Sequence, residues 1–316
     1  MHRMIDKNIN FDIKTEKNVS GKILEEILRQ HSILEQEAEA VRENDRVLIK
    51  GLFGNFYDKR LNVGIGFQRA YGSVLSGDYF ELFKIPGDAY LFVFADISGH
   101  GLPAYTSLIR LRSAINLTIY EYNKSTDSGM NCSYDMFVRD IAEKFTVVME
   151  AANSHDFASV IFTVIKNQGD KFILTFYNRG MFFPLVIRKY ENNIVDLYDL
   201  NKSEKGWIPW KGHLLSPDIH QINPEKYYHF PKCEFIIYEG DCILFFSDGI
   251  TEALSKNDKS EYGADRLKTK LVTGIHLPPQ GIVNMIFEDL YEHMGRPENQ
   301  LDDMTAVLID FPRVRF

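Results

Sequence analysis

The stretch DYFELFKIPGDAYLFVFAD, residues 78–96, constrains this chain more than any other. Two apolar, β-prone runs flank Pro86-Gly87-Asp88, and they read as buried strands joined by a tight turn. A turn centred on Gly87 pairs the residues equidistant from it. Asp78 and Asp96 then face each other at the open end of the hairpin. A slip of one residue would turn them apart, so their meeting depends on where the turn sits. Beyond Asp96 the chain runs into the glycine-rich corner ISGHG.

The remaining strand-like runs are NVGIGFQRAY, SVIFTVI with KFILTFYN, FPLVIRKY with IVDLYDL, the two runs around Glu239-Gly240-Asp241, and DMTAVLIDF. Helical stretches are expected over Pro103–Tyr122, over Tyr134–Ala151, and from Gly263 to His293 with a break near Pro278-Pro279. Strand runs and helix runs are segregated rather than alternating. The expected class is therefore α+β with a mainly antiparallel sheet. Gly21–Lys50 reads as a helix with an interrupted apolar stripe, preceded by a polar tail. Two regions follow: residues 1–54, a tail and a regulatory or linker helix, and residues 55–316, one domain. Ser203–Lys232, rich in Pro, Gly, His and aromatics, reads as a long irregular insertion within it.

Two further acids lie at strand ends. Asp248 closes CILFFSD, and Asp302 precedes MTAVLIDF. If those strands are antiparallel neighbours, their carboxylates share one sheet edge. Four carboxylates in a partly dry cleft repel one another, and a divalent cation is the usual resolution. An all-oxygen set suits Mg²⁺ or Mn²⁺ and offers nothing to a zinc-thiolate site. Gly77, Gly99, Gly101 and Gly249 stand beside the acids, where close backbone approach is useful. Any one of these aspartates could be a plain cap or turn residue; the four together favour the metal reading.

The ordered set SGDYFEL, ADISGHG, FFSDGITEA with EYGADRL, and DDMT closely resembles bacterial PPM-type metal-dependent protein phosphatases of the sporulation-stage-II-protein-E kind. NRGMFFPL is similar to a further motif of that family. The resemblance covers about Leu61 to Phe311. It implies a central β-sandwich with helices on both outer faces, and hydrolysis of phosphoserine or phosphothreonine on a protein by two Mg²⁺ or Mn²⁺ ions without a phosphoenzyme. It implies Asp78 and Asp96 as metal ligands with Asp96 bridging, the carbonyl of Ile97 completing the shell, and Asp248 and Asp302 on the second ion. Asp303 would only orient its neighbour. The usual substrate in such relatives is a phosphorylated anti-sigma-factor antagonist, and signals often arrive through an N-terminal segment. The Gly21–Lys50 helix would then dimerise or dock an upstream regulator. Ser76, Arg179, Met181 and Phe182 depart from the family pattern, the last three at positions expected to bear on substrate choice.

Other readings are weaker. His100 is expected to shape the glycine corner, and His155-Asp156 lacks the companions of a metal phosphohydrolase. A net charge of −8 argues against a nucleic-acid partner. Three cysteines without CxxC spacing fit a reducing compartment. The start lacks the apolar core of a signal peptide, and no stretch is apolar enough to span a membrane. The expected location is cytoplasmic. Against the phosphatase stand two alternatives: a catalytically weak scaffold with the same fold, and a hydrolase of small phosphoesters.

Overall fold

This computed structural model describes residues 61–73, 75–99, 101–127, 133–190, 195–201, 212–223, 227–228 and 230–311. The tail and the helix expected over Gly21–Lys50 lie outside them, as does His100.

Ten strands form two five-stranded sheets among the described residues. They are β1 (Asn62–Gln68), β2 (Asp78–Ile85), β3 (Ala89–Ile97), β4 (Ala158–Asn167), β5 (Lys171–Arg179), β6 (Leu185–Lys189), β7 (Val195–Asp199), β8 (Lys232–Tyr238), β9 (Cys242–Phe246) and β10 (Met304–Asp310). One sheet has the order β1-β10-β9-β6-β7, the other β2-β3-β4-β5-β8, and every pairing is antiparallel. The helices are α1 (Leu102–Asp127), α2 (Tyr134–Ala151), α3 (Pro217–Ile222), α4 (Asp248–Thr251), α5 (Ala264–Thr273) and α6 (Pro279–Met294).

The unbroken apolar runs are explained by layering. Along β3, Leu91, Val93, Ala95 and Ile97 pack with Leu111, Phe137 and Phe145 of α1 and α2. The alternate residues Phe92 and Phe94 point the other way, into a core shared with Phe245, Val307 and Ile309 of the opposite sheet. On the far side, Leu244 and Leu308 pack with Leu267, Ile286 and Leu290 of α5 and α6. The result is a β-sandwich covered by helices on both outer faces. Each central strand is buried on two sides, so it has no polar face to display.

β8 and β9 flank the Glu-Gly-Asp turn but do not pair with each other. β8 completes one sheet beside β5, and β9 enters the other between β10 and β6. The described part of Ser203–Lys232 also departs from an irregular insertion. Leu215 exchanges two 2.9 Å backbone bonds with Ala158, α3 follows, and Lys232 already opens β8. Leu215 and Tyr227 are fully buried against α2 and β4, because the aromatic-rich composition supplies core side chains rather than a solvated loop.

Candidate functional site

The hairpin register places Asp78 directly opposite Asp96, and Phe80 opposite Phe94. Phe80 and Phe94 face the gap between the sheets. By the two-residue period, the two aspartates continue that face to its mouth. The opposite sheet meets them there. Ser247 follows β9, and Thr305 lies in β10; both hydroxyls donate to Asp78 Oδ2, at 2.8 Å and 2.5 Å. Thr305 N–H in turn donates to Ser247 Oγ at 2.9 Å. One carboxylate oxygen from one sheet is thus gripped by two hydroxyls from the other.

β9 and β10 are antiparallel neighbours, as the sequence required for Asp248 and Asp302 to share an edge. Asp248 is the first residue of α4, and Asp302 precedes β10, where its Oδ1 accepts the Asp303 N–H at 2.8 Å. Gly249 permits this packing: a Cβ there would stand 2.1 Å from the Asp303 carbonyl. Gly77 has the same role on the other side, where a Cβ would stand 2.6 Å from the Ile97 carbonyl. Ser76, which replaces a family glycine, needs no positive φ, and its hydroxyl accepts the Asp78 N–H at 3.0 Å.

The electrostatics are one-sided. Burial pushes Asp96 up to about 8, reinforced by the charges of Asp248, Asp302, Asp303 and Glu252. Asp78 is held well above the usual carboxylate range, first by burial and then by Asp96, against the opposing pull of Thr305 and Ser247. Glu252 is raised by partial burial and by Asp248, Glu261 and Asp302. A cleft of about 260 Å³ adjoins these acids, lined by Glu252, Glu261, Asp302 and the apolar Leu254 and Met304. The neighbouring charges that raise these acids are all carboxylates, a set that fits a hard divalent ion. Even so, among the described residues no three Asp, Glu, His or Cys side chains are drawn into a ready metal cage. The acids act on one another strongly without closing around one point.

The sequence reading missed two contributors and gave a third, Asp303, only part of its role. Ser247 and Thr305 orient Asp78, and each sits beside a strand-end acid, which was the available signal. Asp303 is a structural tie, accepting the N–H groups of Ala70 and Gly77 at 2.8 Å and 2.7 Å. Of the three departures expected to bear on substrate choice, Arg179 and Met181 are buried, and Phe182 is half-buried and stacks on Phe246 at 5.8 Å. His155 bonds Asp218 at 3.1 Å, and Asp156 accepts from Ser107 at 2.7 Å, so that pair makes no metal site.

Residues 217–312, under a third of the chain, match the family model of stage II sporulation protein E. That segment holds Asp248 and Asp302 but not Asp78 or Asp96. No curated protein sequence matches the chain. The SiaA-PP2C domain of Pseudomonas aeruginosa shares the architecture at 15% identity and a TM-score of 0.62, over 89% of this chain and 98% of that one. The RsbU and RsbW domains of a Mycobacterium tuberculosis protein match at 17% identity and 0.53, over 80% and 61%. The PP2C phosphatase domain and regulatory fragment of SpoIIE from Bacillus subtilis match at 18% and 0.53, over 79% and 63%. Among the described residues no helix is long and apolar enough to cross a membrane. The chain therefore has the fold of PP2C-type phosphatase domains, and over residues 217–312 it is similar to the stage II sporulation protein E family.

Proposed function

We propose that this chain hydrolyses phosphoserine or phosphothreonine on a protein, using Mn²⁺ or Mg²⁺, in a bacterial signalling pathway. One observation carries the reading: the hairpin register sets Asp78 against Asp96 at the mouth of the sandwich, where hydroxyls of the other sheet grip Asp78 and the charges of Asp248 and Asp302 bear on Asp96. Asp78, Asp96 and the Ile97 carbonyl would hold one ion, and Asp248 and Asp302 the other, with Asp96 between them. Bound divalent cations supply Lewis-acid activation of water and neutralise the phosphoryl oxygens. Ser247 and Thr305 fix the orientation of the Asp78 carboxylate, as outer partners of metal ligands do. The protein's task is positioning and charge compensation, with no covalent intermediate to form.

The likeness to an RsbU domain and to a cell-fate determinant supports a signalling setting. The substrate we favour is a phosphorylated anti-sigma-factor antagonist in the cytoplasm. The Gly21–Lys50 segment would self-associate or receive an upstream regulator. Removing residues 1–50 with no change in rate, metal dependence or oligomeric state would refute that part.

A second reading, a scaffold with the fold but little turnover, is favoured by the lack of a ready cage among the described residues. Manganese-dependent phosphate release from a phosphoserine protein and from p-nitrophenyl phosphate separates the readings. The phosphatase releases phosphate from the protein. No turnover on either substrate indicates the scaffold, and turnover confined to the small ester indicates a small-molecule hydrolase.

A further inference from the structure

Arg179 is fully buried, yet among the described residues no carboxylate pairs with it. Burying a guanidinium without a counter-ion is costly unless its donors are used. Two of them are. Nη1 donates to the Tyr227 carbonyl, and Nη2 to the Leu214 carbonyl at 3.3 Å, while Nε has no partner among the described residues. The Tyr227 and Phe230 rings lie 4.6 Å and 4.8 Å from the guanidinium carbon. Burial lowers Arg179 to about 10, so it remains charged at neutral pH. Among the described residues, the groups that Arg179 grips, on Leu214, Tyr227 and Phe230, all lie within residues 212–230.

That segment is fastened to the strands beside the acidic mouth. β5 leaves β4 at Arg179, opposite Val160. Two residues further on, Ala158 pairs with Leu215 instead, with both backbone bonds at 2.9 Å. Ala158 is also the ladder partner of Ile97. Beside it, Ser98 N–H donates to the Phe157 carbonyl at 2.8 Å, and Phe157 N–H donates to Ser98 Oγ at 3.0 Å. A second fixing point is Tyr227, whose hydroxyl accepts the Ser216 N–H at 2.9 Å and meets Thr146 of α2 at 2.9 Å.

We infer that Arg179 is a positioning residue for the metal-binding turn: it clamps residues 212–230 so that Leu215 braces Ala158, and Ala158 braces Asp96–Gly99 from behind. This rests on the metal site proposed above. Loss of Arg179 would leave the Leu214 and Tyr227 carbonyls without their donor and open space between two rings. The bracing strand would then loosen, and the Ile97 carbonyl and Asp96 would lose their fixed geometry. Outer supports of this kind typically govern metal affinity by one to two orders of magnitude.

The test is Mn²⁺ binding to the full chain, read by electron paramagnetic resonance of the free ion well below the unfolding temperature. Wild type, Arg179→Ala, Arg179→Lys and Asp96→Asn are compared, each with its thermal unfolding curve. Both Arg179 variants are expected to bind Mn²⁺ about tenfold more weakly. Lysine keeps a cation but cannot reach both carbonyls from between two rings, so it does not rescue. If Arg179→Ala fails to fold, Arg179→Lys decides the matter. A folded Arg179→Lys with a lowered unfolding temperature and wild-type Mn²⁺ affinity would show a merely structural role and overturn the inference. Wild-type affinity in Asp96→Asn would remove the metal site itself, and the inference with it.

Discussion

Asp303 accepts the Gly77 N–H at 2.7 Å, joining two residues 226 positions apart. Its other oxygen accepts the Ala70 N–H at 2.8 Å. Asp303 stands just before β10 in one sheet, and Gly77 just before β2 in the other. This buried carboxylate therefore holds the approach to Asp78 against the strand that follows Asp302.

Asp303→Asn should be more disruptive than its shape suggests. An amide keeps one acceptor but turns its NH₂ toward a second backbone donor, so a buried N–H loses its partner. The expected loss is about 2 kcal/mol of folding stability. Urea denaturation measures it, and a change below about 0.5 kcal/mol would show that the tie is dispensable.

Asp96→Asn should separate stability from activity. It removes a charge opposed by burial and by four neighbouring carboxylates, so the metal-free variant should melt at a higher temperature than wild type. Its phosphatase rate should fall at least about a hundredfold, as when a charge-stabilising group is lost. Calorimetry and a phosphoserine assay read the two halves. A near-normal rate would discredit the assignment.

The pH dependence of the metal-free protein has a definite sign. Asp96 rises from 3.8 to about 8 on folding, and Asp78 rises in the same direction. Between those values the folded state binds more protons than the unfolded one, so stability falls as pH climbs through the window. Asp289 and Asp199 shift the opposite way and titrate below 3.8, leaving this window unaffected. The metal-free unfolding temperature should decline from roughly pH 5 to pH 8, and Mn²⁺ should restore it most at the alkaline end. A flat profile without metal would contradict the crowding of these acids.

Thr305→Val keeps the volume and removes one of the two donors on Asp78 Oδ2. Hydrogen bonds to charged groups contribute about 1.5–3 kcal/mol. The expected result is about tenfold weaker Mn²⁺ affinity with little change in side-chain packing. Titration calorimetry checks it, and unchanged affinity would make the hydroxyl a bystander.

Much of this was legible in the chain itself. Hairpin register is a local property, set by where Pro86-Gly87-Asp88 turns, so Asp78 opposite Asp96 could be read from spacing alone. The α+β class followed from strand and helix runs that do not alternate. Other features depended on contacts between distant segments, which spacing cannot encode. Whether β8 pairs with β9 or crosses between sheets is decided by which hydrophobic layer each strand completes. Asp303 is a tie as well as the neighbour whose N–H holds Asp302, because the other sheet presents two backbone N–H groups to its carboxylate. In the sequence Arg179 is only a departure expected to bear on substrate choice, and the fold encloses it with Tyr227, Phe230 and two carbonyls. Local backbone preference fixed the strands and their ends; only the packing of two sheets face to face decided which polar groups would be shut in together.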